Sequence, residues 1–191
     1  MEVIFLITAI SLFTYMVLAT YDGLYLHLWK YQLYNRIESK LEHLTHTLRA
    51  ILFPLIVIFL VLNQQNFFWF LIGLLLVVID FVILAIDAHS EEDSRKFMGG
   101  LPKQEYILHL FANATHYGLV VLIIALKIRF TENTLLFISE IDYSSLAGRT
   151  LLFVAENAVP GAFILALLHI LLAIEGPRNF LHNQRIKVNC C

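Results

Sequence analysis

Five long apolar runs constrain this chain more than any other feature. They cover residues 3–21, 47–62, 67–86, 106–128 and 150–174, the second extended by a polar opening turn. A helix needs about 20 mostly apolar residues to cross a bilayer, so each run has the length of a span or nearly so. Composition agrees: 59% of the residues are hydrophobic and 15% charged, where a soluble domain carries about 25% charge. The expected fold is an all-α integral membrane protein, a single domain over 1–191 with five transmembrane helices. The first run lacks a basic leader and a small-residue cleavage site, so it reads as a retained helix.

Basic residues gather on the cytoplasmic side of spans. With the N-terminus outside, Lys30, Arg36, Lys40, Arg49, Arg95, Lys96, Lys103, Arg178, Arg185 and Lys187 fall inside, and Lys127, Arg129 and Arg149 outside. That division predicts N-out, C-in. No basic patch is interleaved with aromatics, so nucleic acid is not an expected partner. Cys190 and Cys191 end the chain on the reducing side, where a disulfide is disfavoured; unmodified tail thiols are the simpler reading beside lipidation.

Along the chain, Asp22-Gly23 reads as the end of the first span, with the glycine as cap. Residues 24–41 mix Leu24, Tyr25, Trp29 and Tyr31 with basic residues, which predicts an interfacial helix. Pro54 lies inside the second span and should loosen a turn. Residues 63–66 form a short turn, and the third span ends at Asp87. Residues 88–104 are polar, 129–149 form a polar outer loop, and 175–191 a short cytoplasmic tail.

The polar residues at the span ends carry the chemistry. Glu42 and His46 stand four apart where the second span begins, and Glu105 and His109 do the same for the fourth. Positions i and i+4 share one helix face. Each pair is preceded by an apolar run ending in an aspartate, Asp22 or Asp87. Shifting residues 5–22 by 65 superposes Phe5-Leu6-Ile7 on Phe70-Leu71-Ile72 and Asp22 on Asp87. Shifting by 63 superposes Glu42 and His46 on Glu105 and His109. Four helices therefore read as two repeated hairpins (1–62 and 67–127) around a polar site, with 150–174 as an extra span. His169 in that span reaches nearly the same layer.

Carboxylates and imidazoles are ligands of non-haem iron, manganese and zinc. Four carboxylates with two histidines suit two divalent cations, iron favoured, manganese or zinc as alternatives. The set resembles the ferritin-like carboxylate dimetal proteins, whose four helices supply Glu, Glu-x-x-His, Glu and Glu-x-x-His. The matching positions are Asp22, Glu42 with His46, Asp87, and Glu105 with His109. This chain departs in its Glu-x-x-x-His spacing and in having Asp for the lone Glu. The resemblance implies a carboxylate-bound dinuclear centre. His43, beside Glu42, and His89, two residues past Asp87, are further metal candidates, as is His169. His27, like His89, is placed on a flanking loop.

Asp80 and His116 lie seven residues deeper than Asp87 and His109, on nearly the same faces. They are the catalytic candidates, a pair that could relay protons at mid-membrane. Ser94-Arg95, Arg36 and Arg49 could bind an anionic headgroup or phosphate. The function expected is a membrane-embedded dimetal oxidoreductase or oxygenase acting on a lipidic substrate at the cytoplasmic face, served by an electron donor. The alternatives are a zinc-dependent membrane hydrolase, a bis-histidine haem cytochrome and a divalent-metal transporter.

Overall fold

The computed structural model describes residues 1–63, 66–132, 134–139 and 141–189, with side chains through 183. It is 83% helical. Helix α1 spans Glu2–Thr20 and continues without a break as a wide-turned helix over Tyr21–Lys30. Helix α2 spans Lys40–Val57 and widens over Ile58–Leu62, just past Pro54. Helix α3 is Phe67–Ser94, α4 Lys103–Lys127, α5 Leu146–Ala173 and α6 Glu175–Asn189. Five of these are long and apolar enough to cross a membrane.

The ends of the helices have local causes. Pro102 stands just before α4, and its fixed φ suits a helix start. Ser145 caps α5 by accepting from the Gly148 N–H at 3.1 Å. The Asn66 side chain accepts from the Phe68 N–H at 2.9 Å and caps α3. Gly99 and Gly100 take positive φ, 86° and 108°, in the turn between α3 and α4, a conformation that costs other residues a Cβ clash.

Helix α1 packs on α4, α2 packs on α3, and α5 packs on both α1 and α2. The apolar core fills the half of the bundle away from the polar layer. Phe5 and Leu12 of α1 meet Phe53, Ile56 and Leu60 of α2, Leu119 and Ile123 of α4, and Leu151 and Ala155 of α5. Gly73 lets α3 approach α2 closely: a Cβ there would lie 2.8 Å from Leu60 Cγ and 3.2 Å from Phe59 Cβ. The outer faces are apolar and exposed, as at Val78, Phe81, Val121 and Phe153.

Three expectations are corrected. Asp22-Gly23 does not end the first helix, and residues 24–41 are not a separate interfacial helix: α1 runs on to Lys30, followed by a single short turn over Leu33–Asn35. Gly23 faces His169 of α5, where a Cβ would sit 3.3 Å from Nε2, so its lack of a side chain serves helix packing. The third helix does not stop at Asp87 but continues two turns to Ser94, burying Glu91 and Ser94. The outer loop holds two short antiparallel strands, β1 (Ile128–Phe130) and β2 (Leu135–Phe137), with Ile128 opposite Phe137. The tail is helical as α6, with Pro177 in the first turn, where a missing N–H is harmless. Cys190 and Cys191 lie outside the described residues.

Candidate metal centre

The wide turn of α1 builds one side of the centre. In an ordinary helix Asp22 and His27, five apart, would point some 140° away from each other. Here the chain closes i→i+5 bonds, as from the Tyr31 N–H to the Leu26 carbonyl at 2.8 Å. Five residues then complete little more than one turn, and both side chains face the same way. Such widened turns concentrate at functional sites. On α3 the ordinary spacing does the same for Asp87 and Glu91. Glu42 and Glu105 stand in the first turns of α2 and α4, with His46 and His109 one turn further on.

Asp22, His27, Glu105 and His109 converge, all four buried, with one donor atom from each within 4.8 Å of the others. His27 Nε2 lies 3.3 Å from Asp22 Oδ1 and 3.4 Å from Glu105 Oε1, and His109 Nε2 lies 3.1 Å from Asp22 Oδ1. Ligands bound at about 2.0–2.2 Å sit roughly 3.0–3.4 Å apart around one ion, so these four groups could hold one, as they can also pair directly through the His109–Asp22 hydrogen bond. The other nitrogen of His109, Nδ1, is 2.9 Å from Glu91 Oε1. A carboxylate on the far nitrogen fixes the ring and leaves Nε2 for an ion.

A second group, His27, Glu42 and His46, adjoins the first and shares His27. His46 Nε2 lies 3.1 Å from Asp87 Oδ2, matching the His109–Asp22 distance in the other half. The halves differ in what surrounds the aspartate. Asp87 also accepts from the Thr45 hydroxyl in a short hydrogen bond and stands 3.7 Å from Arg49 Nη1.

Arg95, 0% exposed, sits between the two glutamates. Its Nη1 and Nη2 donate to Glu42 Oε2 and Oε1 at 2.5 and 2.8 Å. Its Nε donates to Glu105 at 3.1 Å, and Nη2 makes a short contact with Glu105 Oε1. Nη2 is also 3.2 Å from His27 Nε2. A guanidinium forks well onto carboxylates, and here one fork serves both. Arg95 thus binds no headgroup or phosphate; its anions are the protein's own.

Deeper in the bundle, Asp80 and His116 lie together, Oδ2 to Nε2 3.2 Å, both buried. Tyr117 donates to Asp80 at 3.0 Å, and Arg49 donates to Asp80 at 3.2 Å and to Asn113 at 2.9 Å. The Tyr15 ring packs on His116 with centroids 4.7 Å apart. Arg49 therefore links Asp87 in the upper layer to Asp80 below.

The other candidates fall elsewhere. His43, one residue and 100° round the helix from Glu42, turns to α5 and stacks on His169 with ring centroids 5.4 Å apart. Neither ring is among the converging donors. His89 is exposed, since two residues past Asp87 is the opposite face of α3. His27 and Glu91 are the additions. The spacing signal for His27 was present as Asp-x-x-x-x-His, legible only if the helix widens; Glu91 at i+4 from Asp87 was readable on the assumption that α3 continues.

A cavity of about 80 Å³ opens on this layer, lined by Asp22, His46, Asp87, Glu91, His109 and His169, with Arg49 and Asn113 beneath. The chain matches no family model, no curated protein and no solved structure. Functional inference therefore rests on the buried donors themselves, which could hold a metal ion.

Proposed function

We propose that this chain is a membrane-embedded metalloenzyme that acts on a lipidic, membrane-delivered substrate. The observation that carries the reading is the burial of Asp22, His27, Glu105 and His109 around one point. Charge supports it. Six buried carboxylates, Asp22, Glu42, Asp80, Asp87, Glu91 and Glu105, share this region with two guanidinium groups, Arg49 and Arg95. Buried charge without a counter-charge is expensive, and a divalent cation supplies part of the deficit.

The reading takes one cation rather than two. The two donor groups share His27, and one nitrogen serves one ion. The glutamates share Arg95, which stands where a bridged second metal would need room. In the Asp87 half, Thr45 and Arg49 take up the carboxylate. Glu105 keeps lone pairs for an ion beside its arginine contacts.

Iron is the favoured occupant. Two imidazoles with carboxylates and no sulfur suit ferrous iron with open positions, and the reaction class is then oxidation of the substrate by dioxygen with an external electron donor. The chain's own groups bind and orient: Glu91 fixes His109, Arg95 holds Glu42 and Glu105 on one guanidinium, and the Arg49–Asp80–His116–Tyr117 network offers a proton route from the layer into the bundle. Zinc hydrolysis is the second reading, favoured by depth. Glu42 and Glu105 stand in the first turns of α2 and α4; in a spanning bundle that level would meet a lipid's linkage region, where a zinc-activated water would act.

A bis-histidine haem has less support, because a cavity of about 80 Å³ is room for a handful of waters, at about 10–15 Å³ of such space each. Transit of divalent metal has less support as well: the path below the centre carries Arg49, a fixed positive charge. The test is reconstitution of metal-free protein in lipid nanodiscs with ferrous iron or zinc. Lipid-dependent oxygen uptake with iron, removed by Glu105→Gln, supports the oxidase; fatty-acid release with zinc alone supports the hydrolase. Neither activity with either metal contradicts an enzymatic role.

A further inference from the structure

A second cavity, of about 210 Å³, lies between α1 and α5. Thr20 is the one polar side chain in its lining; the rest is aliphatic, glycine or Phe53. The space exists because α5 presents Ala158, Gly161 and Ala162 there, and a Cβ on Gly161 would meet nothing within 4 Å. Small residues alone leave a groove without saying what fills it.

Two further observations identify the occupant. First, the groove adjoins the polar cavity: Ala19, Phe53, Ala162 and Leu165 line both. Second, His169 lines the polar cavity, is 1% exposed, and its Nδ1 has no hydrogen-bond partner among the described residues. A buried nitrogen in that state needs a polar group brought to it. The dimensions fit an acyl chain. From Ala158 to Leu168 the groove follows ten residues of α5, about 15 Å at 1.5 Å per residue. That is half of a hydrocarbon layer about 30 Å thick, and it starts at the layer of the metal ligands.

We propose that the substrate is a membrane lipid that lays one acyl chain between α1 and α5 and brings its carbonyl end into the polar cavity, beside His169 and the metal ligands. This rests on the metalloenzyme reading for what the carbonyl end meets; the chain site stands on the groove. It places the reacting atoms near the lipid's linkage, not in the middle of its chain.

The experiment uses full-length protein in phosphatidylcholine nanodiscs carrying a trace of phospholipid with a diazirine on its palmitoyl chain. After illumination, labelled positions are mapped and metal content is measured on the same sample. The expected label concentrates on residues 16–24 and 158–168, above that at Val78 and Phe81, which are 60% and 59% exposed on α3. Gly161→Leu fills the groove and lowers its labelling about tenfold, the loss expected when a side chain displaces two methylenes of the lipid. Gly161→Ala leaves the labelling in place, and metal content is the same in all three proteins. Label on α3 as heavy as in the groove, or no change in Gly161→Leu, means annular lipid only and overturns the substrate class while bound metal still stands. Groove labelling without bound metal overturns the metalloenzyme reading, and the substrate role falls with it.

Discussion

Arg95 directs donors from all three of its nitrogens at two buried carboxylates. Replacing buried ion pairs with apolar residues can be neutral, but removing one partner leaves the other charge stranded, at about 3–5 kcal/mol. Arg95→Met strands two. Its expected effect is a loss of at least about 3 kcal/mol, read as a lower thermal midpoint in detergent. Adding Glu42→Gln to Arg95→Met should recover part of that loss, because residues in one network couple. Equal midpoints for wild type and Arg95→Met would show that the glutamates are neutral in the fold. Arg95→Lys keeps the charge and loses the fork, so it should fall between.

At the level of elements, glycines separate close helix contacts from open ones. A Cβ at Gly73 would press into Leu60 of α2, whereas one at Gly118 in α4 meets nothing within 4 Å. Gly73→Ala should therefore cost about 1–3 kcal/mol of overpacking, and Gly118→Ala should gain about 0.5–1 kcal/mol from helix propensity. Thermal unfolding of the two variants checks the contrast; shifts of the same sign would contradict the α2–α3 packing. Elements are also where the sequence was most and least legible. Long apolar runs announce helices, so all five were readable, as were the Glu–His pairs at their openings. The continuation of α1 past Asp22-Gly23 was not, because a glycine after an aspartate reads as a stop unless the neighbouring helix is known to need its surface. That one misreading hid His27. Arg95 was visible as a charge near the layer, but its burial depends on α3 running on to Ser94, which a polar stretch of sequence does not announce.

For the whole molecule, the ten-to-three division of basic residues predicts the site end inside and the β1–β2 end outside. An impermeant maleimide applied to intact cells should label Thr131→Cys and leave Cys190 and Cys191 unmodified; the opposite pattern would invert the orientation. The proposed centre requires α1 and α4 to close around a cation through Asp22, His27, Glu105 and His109, while Arg49 and Arg95 pair with the carboxylates of α2 and α3. The most direct measurement is the metal content per chain of protein purified without chelator, in wild type, His27→Ala and His89→Ala. The result expected is about one equivalent in wild type, its loss in His27→Ala, and no change in His89→Ala, whose ring is exposed. Metal retained in full by His27→Ala, or absent from wild type, would contradict the centre.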